Sequence, residues 1–326
     1  MPKPAKSMPE TPASSRLVMR TLDGHRLSVR TMGNPQGVPV VVLHGGPGSG
    51  CSPAMADWVD LRQVRLVLPD QRGAGLSRPR GCTRRNGVPH LIADLERIRR
   101  ALNIASWVVV GGSWGATLAL AYAARCPGAV RALVLRGTFT ASQADLRYFF
   151  APRRRLKSRH SVARRSAVRA PVTRVLHNWA HAFQFDTPTV AHRLAAAWQA
   201  RERALLEMPS PMTGPRRLRP AACCKYRIQA HLLARLGGLG PRGILALAAA
   251  LRRWEGLAMA IHGMRDRVCP PAGLRRLQAC WPALQVTWVE AGHTVAGPAM
   301  RDALRHAIEA AVSAPRRAQA SVLPCS

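Results

Sequence analysis

The sequence has 326 residues, 47% of them hydrophobic, and its 49 Lys and Arg residues against 16 Asp and Glu residues give a formal net charge of +33. This hydrophobic content excludes a disordered chain, and no apolar run reaches the roughly 18 residues that span a bilayer, so we expect no membrane partner. The charge raises the question of nucleic-acid binding. The basic residues are, however, spread along the whole chain without a recognisable binding motif, and we do not expect nucleic acid to be the partner.

The two ends of the chain differ in composition from the rest. Residues 1–16 contain Pro, Ser and Lys but no apolar segment of the kind that directs secretion, and we expect a disordered arm there. Residues 313–326 are similar, and we expect a flexible tail. The 8 cysteines include no CxxC pair, so the sequence does not support a metal site, and we expect reduced thiols and a cytoplasmic location.

Between these ends, short apolar runs alternate with segments of helical periodicity. Continuous runs of this kind are typical of strands buried on both faces of a parallel sheet. We predict strands at PVVVL (39–43), VRLVL (64–68), WVVV (107–110), RALVL (131–135), LAMAIH (257–262) and QVTWV (285–289), and helices at 91–102, 116–124 and 301–312. The alternation predicts an α/β protein with a mostly parallel central sheet, helices on both faces, and a core made of residues 17–137 and 252–312.

The middle of the chain, residues 138–251, breaks this alternation. It contains helical patterns, for example at 190–208 and 230–236, and no convincing strand, so we expect a helical cap inserted above the strand ends. Within it, residues 153–174 carry nine Lys or Arg residues. That run lacks interleaved aromatic residues and a recognisable motif, which argues against a nucleic-acid site, and we assign it no role.

The run VVVGGSWGATLALAYA (108–123) joins a predicted strand to a predicted helix through a glycine-rich turn. Gly111 and Gly115 flank Ser113 in a G-x-S-x-G spacing, which suits a tight strand-to-helix turn without room for neighbouring side chains. Such a turn presents the serine hydroxyl at the N-terminus of the helix. We therefore predict that Ser113 is a nucleophile, which needs a base, an orienting carboxylate and an oxyanion hole.

Two further residues follow predicted strands in the chain order of a catalytic triad. Asp266 follows the strand at 257–262, and His293 follows the strand at 285–289. An aspartate after a strand is often only a turn residue, and a histidine in such a loop is often only a surface side chain. The order Ser113, Asp266, His293 is nonetheless that of the α/β hydrolases, and we predict that His293 is the general base and that Asp266 orients it.

The loop LHGGPGSG (43–50) follows the first predicted strand. Its glycines allow the backbone to come close to a substrate, and neither common phosphate-loop pattern, GxGxxG or GxxxxGK(S/T), is present. We predict that the backbone N–H groups of Gly46 and Trp114 form the oxyanion hole.

Several blocks together resemble the proline iminopeptidases, or prolyl aminopeptidases, which are serine peptidases of the α/β-hydrolase fold. The blocks are HGGPGSG (44–50), DQRGAGLS (70–77), NGVPHLIADLERIR (86–99), GGSWGATLALAYA (111–123), LVLRGTF (133–139), HGMRDRVCPP (262–271) and EAGH (290–293). Generic esterases and epoxide hydrolases usually lack the second block in this form. The resemblance covers residues 15–140 and 255–297 and is weaker in the middle of the chain.

The resemblance also implies how a substrate is held. In this family, acidic side chains of the helical cap bind the free α-amine of an N-terminal proline, because a buried ammonium needs a carboxylate partner. Glu202, in WQARE (198–202), matches one of these acids, although Arg201 replaces the second tryptophan of the family pattern. The second acid is replaced by Gln229 in RIQAH (227–231). The other interpretation of Glu202 is a solvated helix residue.

The sequence therefore predicts a serine peptidase that releases an N-terminal residue, preferentially proline, from short peptides with a free N-terminus. The reaction would pass through an acyl-enzyme and need no metal or organic cofactor. The alternative is an esterase or amidase of the same fold with a changed cap specificity, which would be indifferent to a free amine. Cys269, three residues after Asp266, has a counterpart in the family, and a buried structural thiol is its simplest interpretation.

Overall fold

A computed structural model describes residues 14–150, 171–208 and 220–315. Its centre is an eight-stranded sheet with helices on both faces. The strands are β1 (Ser14–Arg20), β2 (Arg26–Gly33), β3 (Val38–Leu43), β4 (Val64–Pro69), β5 (Trp107–Gly112), β6 (Val130–Arg136), β7 (Leu257–Gly263) and β8 (Gln285–Val289). The α-helices of the described residues are α1 (Val88–Ala101), α2 (Trp114–Arg125), α3 (Gln143–Phe150), α4 (Val172–Phe185), α5 (Pro188–Leu205), α6 (Pro220–Ala234), α7 (Ala248–Arg253), α8 (Pro271–Cys280) and α9 (Pro298–Ser313).

The strand order brings the loops that follow the parallel strands to one edge of the sheet. The order is β1-β2-β4-β3-β5-β6-β7-β8, with antiparallel pairing of β1 to β2 and of β2 to β4 and parallel pairing thereafter. Leu43 of β3 pairs with Gly111 of β5, and Arg136 of β6 pairs with Ile261 of β7. The loops that leave these strands therefore start side by side, which is where ligands bind in open α/β sheets.

The sheet is covered on both faces, which explains its continuous valine runs. Val41 and Val109 pack with α1 and α2 on one face, whereas Val40 and Val108 pack with α9 on the other. Helix α2 is buried along nearly its whole length. Its small Ala side chains let its backbone lie close to the sheet, so the residue that precedes it is held rigidly.

The predicted α/β class with a mostly parallel sheet is confirmed. β1 and β2 have no counterpart among the predicted strands, because Arg and other polar residues interrupt both of them and β1 is largely exposed. β1 begins at Ser14, so residues 14–16 are strand rather than disordered arm. The remainder of the expected arm, residues 1–13, and residues 316–326 of the expected tail lie outside the described residues.

Helices α3 to α7 lie between β6 and β7, and the described residues of the segment 138–251 contain no strand. Because β6 and β7 are neighbours, this segment leaves and rejoins the sheet at adjacent strands. Its helices share an aromatic cluster in which Phe150, Trp179, Trp198 and Tyr226 contact one another at centroid distances between 5.2 and 6.0 Å. Most of the basic run 153–174 falls at residues 151–170, outside the described ranges.

In the described ranges, no single helix is both long and apolar enough to cross a membrane. The stretches Pro220–Ala234 and Leu236–Arg253 reach the necessary length and composition only when taken as one pair, which is bent by 56°.

The cysteines do not all match the expected state. Free thiols are found at Cys51, Cys82, Cys223, Cys224, Cys269 and Cys280. Cys126 is disulfide-bonded, so the expectation of reduced thiols is wrong at that position.

Candidate active site

Ser113 lies at the junction of β5 and α2, in a backbone conformation that few residues with a side chain adopt. Its φ is 57° and its ψ is −119°, and its N–H donates to the Arg136 carbonyl oxygen at 2.9 Å. A Cβ at Gly111 would lie 2.4 Å from the Gly115 carbonyl oxygen, and a Cβ at Gly115 would lie 2.0 Å from the Leu43 carbonyl oxygen. Glycine is therefore required on both sides of a strained turn of the kind that the G-x-S-x-G spacing predicts.

Asp266 and His293 form a hydrogen-bonded pair beyond the ends of β7 and β8. His293 Nδ1 donates to Asp266 Oδ2 at 2.7 Å, and the backbone N–H groups of Val268 and Cys269 donate to Oδ1, each at 2.8 Å. Burial of the carboxyl works to raise its pKa, but the adjacent His293 and the hydrogen bonds outweigh burial and lower the pKa of Asp266. Asp266 is thus ionised at neutral pH and favours the tautomer of His293 whose Nε2 can accept a proton.

Ser113 and His293 line the same cavity, which has a volume of about 280 Å³. Apolar side chains from the segment between β6 and β7 close it, namely Phe139, Leu146, Phe149, Leu206 and Leu233. Within the described residues, Ser113 Oγ shares no hydrogen bond with His293 and instead contacts Cys269 Sγ at 3.9 Å. In ligand-free hydrolases the contact between nucleophile and base is often loose and tightens when substrate binds.

The loop after β3 lies against the serine turn. A Cβ at Gly45 would lie 3.3 Å from Ser113 Cβ. The N–H of Gly46 makes no hydrogen bond to any described residue, and the same is true of Trp114, whose position at the start of α2 leaves its N–H without a helical partner. Two backbone donors are therefore available beside Ser113, which is the arrangement that an oxyanion hole requires.

Gln71, in the DQRGAGLS block, makes hydrogen bonds to the loop after β3. Gln71 donates from Nε2 to the His44 carbonyl oxygen at 2.8 Å and accepts from Trp114 Nε1 at 3.1 Å. The Gln71 N–H donates to His44 Nε2 at 3.0 Å, and His44 Nδ1 lies 3.0 Å from the Gly45 carbonyl oxygen and 3.2 Å from the Gly50 nitrogen. Gln71 thereby connects the loop that contains Gly46 to the side chain of Trp114.

Glu202 of α5 and Gln229 of α6 meet in the same cavity as Ser113. Gln229 Nε2 donates to Glu202 Oε1 at 3.0 Å and to the Gly46 carbonyl oxygen at 2.8 Å. The side chain of Glu202 is only 16% exposed, so it is not a solvated helix residue. Arg201, next to Glu202 in the chain, donates to the Phe149 carbonyl oxygen instead of joining this pair.

Three side chains around the cavity are absent from the residues that the sequence singles out. Arg136 donates from Nη1 to the His293 carbonyl oxygen at 2.6 Å and so holds the loop that carries His293. Lys225 and Tyr226 both donate to Glu202 Oε2, at 2.6 and 3.0 Å. Sequence signals could have found two of the three: an arginine at the end of a buried strand, as at Arg136, is rare, and Lys225 precedes Gln229 by four residues on one helix face. Metal-binding groups of three or more His, Cys, Asp or Glu do not occur in the described part of the chain.

The position of Cys269 gives a prediction about thiol reagents. Burial, followed by the influence of Asp266, raises the pKa of the Cys269 thiol well above its ordinary range, so little thiolate forms at neutral pH. We expect slow reaction with iodoacetamide, which requires the thiolate. We expect strong inhibition by an aryl mercurial, because the adduct would fill the space beside Ser113 Oγ, 3.9 Å away. Cys269→Ser should no longer be inhibited, and Cys280→Ser should still be inhibited. Continued inhibition of Cys269→Ser would show that the mercurial acts at another thiol.

Two buried histidines predict an early loss of stability in acid. Burial lowers the pKa of His44 and of His262, so both imidazoles stay neutral in the folded protein below their ordinary value of 6.5. In the unfolded chain they become protonated near pH 6.5, so the free energy of unfolding falls as the pH drops below that value. The loss is about 1.4 kcal/mol per pH unit for each histidine until its folded pKa is reached.

Denaturant midpoints measured between pH 8 and pH 5 test this dependence. His262→Gln should remove the contribution of one histidine to the slope of unfolding free energy against pH. The variant should still fold, because the amide can accept from Thr138 N–H and donate to the Cys269 carbonyl oxygen as the imidazole does. His177→Gln, which alters an exposed side chain, should leave the slope unchanged. Equal slopes for all three proteins would contradict the assignment.

Sequence comparisons place the chain among peptidases. A family model described as "alpha/beta hydrolase fold" matches residues 38–165. A proline iminopeptidase of Xylella fastidiosa (strain 9a5c) is 39% identical over 290 residues, covering 86% of this chain and 91% of the relative. A proline iminopeptidase of Neisseria meningitidis serogroup B is 32% identical over 296 residues, covering 87% of this chain and 92% of the relative.

Solved structures resemble the fold. A proline iminopeptidase-related protein from Thermus thermophilus matches with a TM-score of 0.59 and 21% identity, covering 92% of this chain and 99% of that one. An esterase from Exiguobacterium antarcticum matches with the same TM-score, 0.59, and 17% identity, covering 91% and 99%. At these identities the structures establish the shared fold, and they do not separate peptidase from esterase.

Proposed function

Because the chain belongs to the proline iminopeptidase family of α/β hydrolases, we propose that it is a serine peptidase that releases an N-terminal residue, preferentially proline, from short peptides. One observation carries this proposal: a single cavity holds Ser113, His293 and Glu202. It therefore combines a nucleophile, a base bound to its own carboxylate, and a second carboxylate suited to an ammonium.

The first half of the reaction forms an acyl-enzyme. Ser113 Oγ attacks the carbonyl carbon of the N-terminal residue while His293 Nε2 takes the hydroxyl proton. Asp266 stabilises the resulting imidazolium through the 2.7 Å hydrogen bond at Nδ1. The N–H groups of Gly46 and Trp114 donate hydrogen bonds that stabilise the negative charge that develops on the carbonyl oxygen. His293 then gives its proton to the departing amine, and the rest of the peptide leaves.

The second half of the reaction releases the amino acid. A water molecule replaces the departed amine, and His293 accepts one of its protons as the hydroxide adds to the acyl carbon. Collapse of this second tetrahedral species breaks the bond to Ser113 Oγ, and the proton on His293 returns to the serine. Both halves use the same oxyanion donors, so Gly46 and Trp114 serve twice in each turnover.

The placement of Glu202 supports a free N-terminus as the recognised group. In an N-terminal residue, one carbon separates the ammonium nitrogen from the scissile carbonyl carbon, so the receptor for the amine must lie close to Ser113. Gln229 Nε2 bridges Glu202 and the Gly46 carbonyl oxygen at 3.0 and 2.8 Å. Gly46, which offers an oxyanion donor, is therefore linked to Glu202 through Gln229, and this compactness suits removal of one residue at a time.

A paired assay tests the proposal. We expect the ratio kcat/KM for proline p-nitroanilide to exceed that for N-acetylproline p-nitroanilide by about 100-fold or more, because acetylation removes the ammonium charge that Glu202 would bind. Glu202→Gln should lower kcat/KM for the free amine by about 10- to 100-fold. Glu309→Gln, at an exposed position of α9, serves as the matched control.

Equal turnover of the two anilides would favour the second candidate, an esterase or amidase of the same fold with a changed specificity. The observation behind it is that Gln229 supplies no charge and that Lys225 already pairs with Glu202 at 2.6 Å. Hydrolysis of simple esters with no discrimination at the amine would decide for it.

We also propose that residues 138–251 act as a cap that selects the substrate, with residues 17–137 and 252–312 as the hydrolase core. Support for this division comes from the shared lining of the cavity by side chains of both parts. The cytoplasmic location and the absence of nucleic-acid binding stay predictions, which fractionation of cells and a salt titration with DNA and RNA would test.

A further inference from the structure

Lys225 places an ammonium group where the substrate's own ammonium is expected to bind. Its Nζ lies 2.6 Å from Glu202 Oε2, and both side chains are largely shielded, at 25% and 16% exposure. Lys225 lines the cavity together with Ser113 and His293. A lysine ammonium and a prolyl ammonium offer a carboxylate the same charge and the same kind of N–H donor.

Glu202 has little remaining capacity for a second cation. Oε2 accepts from Lys225 and from the Tyr226 hydroxyl, while Oε1 accepts from Gln229 Nε2. Among the described residues that line the cavity, Glu202 is the one carboxylate, and its neighbour Gln229 carries no charge. A substrate ammonium must therefore share one negative charge with Lys225 or displace its side chain.

The surroundings show how a displaced lysine and a bound ammonium could each be accommodated. Lys225 Nζ already lies 4.7 Å from the centroid of the Tyr226 ring, so the π face of that ring can hold the charge when Glu202 releases it. Gln229 is 4% exposed, and its Oε1 has no hydrogen-bond partner among the described residues. A secondary ammonium has two N–H groups, and these can pair with Glu202 and with this buried oxygen.

We propose that Lys225 is a specificity-determining residue, a built-in ammonium that competes with the substrate's α-ammonium for Glu202. Binding of a free N-terminus then includes the cost of breaking the ion pair between Lys225 and Glu202, so affinity for the amine is lower than the Glu202–Gln229 pair alone would provide. This inference rests on the proposed role of Glu202 in binding the amine.

Direct binding measurements test the competition without depending on turnover. In a Ser113→Ala background, L-prolinamide is titrated by calorimetry into proteins that also carry Lys225→Met or Lys225→Arg. We expect Lys225→Met to lower the Kd by at least about 10-fold, because it removes the competing charge and keeps most of the length of the side chain. Lys225→Arg should bind no more tightly than its parent. Adding Glu202→Gln to Lys225→Met should abolish the gain, and N-acetylprolinamide should gain nothing from any substitution.

An unchanged or higher Kd for prolinamide in the Lys225→Met protein would overturn the inference, provided that its thermal unfolding matches that of its parent. Lys225→Gln offers a second neutral variant if the methionine protein does not fold. Failure of the proposed function is separate, since it would appear as absence of proline p-nitroanilide turnover by the unsubstituted enzyme. Tighter prolinamide binding by Lys225→Met in that case would still support the competition at Glu202.

Discussion

Replacing Ser113 by alanine is expected to lower kcat for proline p-nitroanilide by a factor of about 10⁵ to 10⁶, with little change in substrate affinity. The substitution removes only the Oγ atom that would form the acyl-enzyme. Gly46, Trp114 and the amine receptor stay in place, so binding survives while covalent catalysis is lost. A residual rate above that of water is expected from the oxyanion hole alone.

Single-turnover kinetics together with labelling by a serine-directed phosphonate would measure this effect. Ser106→Ala is the matched control, since Ser106 precedes the same strand, β5, at the end opposite to the site. It should retain activity and take up one equivalent of the phosphonate, whereas Ser113→Ala should take up none. Turnover by Ser113→Ala at more than a hundredth of the normal rate would exclude the proposed nucleophile.

Asp266→Asn is expected to lower kcat by about 10⁴ while leaving the fold intact. The reason lies in how the two carboxylate oxygens are used. Oδ1 accepts two backbone N–H groups, from Val268 and Cys269, whereas Oδ2 accepts from His293 Nδ1. An asparagine must keep its oxygen toward the two N–H groups and turn its NH₂ toward His293, so Nδ1 becomes an acceptor and the proton moves to Nε2. That tautomer cannot take the proton of Ser113.

Steady-state rates and thermal unfolding, measured on the same preparation, separate this tautomer effect from unfolding. Asp302→Asn, on the exposed face of α9, provides the control for loss of one negative charge. We expect the unfolding temperature of Asp266→Asn to stay within a few degrees of the unsubstituted protein, because both backbone hydrogen bonds to Oδ1 are retained. An activity above a tenth of normal would show that Asp266 does not orient the base.

The fold class could be predicted, and the three residues of the proposed triad could be selected, because their signals are local. Each of Ser113, Asp266 and His293 follows an apolar strand, and glycines at 111 and 115 report the tight turn directly. The parallel sheet was visible in the same way, since strands buried on both faces need unbroken valine runs. Strands β1 and β2 contain no such runs, so these two strands at the edge of the sheet could not be predicted from the sequence.

The contacts around Glu202 could not be predicted, because they form across separate helices. Glu202 on α5 and Lys225 on α6 are 23 residues apart. Sequence periodicity within one helix does not predict which residues of a second helix it contacts. The direction of the Arg136 side chain was equally hidden, since an arginine ending a buried strand could point to solvent or to the His293 loop. The resemblance to a family pointed to Glu202 and Gln229, whereas Lys225 emerged only from the packing of the helices.

The adjacency of β6 and β7 has a consequence for how enzymes of this architecture diversify. The two ends of the intervening segment are pinned by sheet hydrogen bonds such as those between Arg136 and Ile261, whatever lies between them. Because the entropic cost of closing a loop grows only slowly with its length, insertions in this segment have little effect on the stability of the sheet. Sequence changes in this segment can therefore accumulate one at a time while the proposed catalytic residues keep their positions. Gln229 lies within this segment, whereas the hydrogen-bonded pair of Asp266 and His293 lies outside it, so a substitution at Gln229 can alter the cavity without moving that pair.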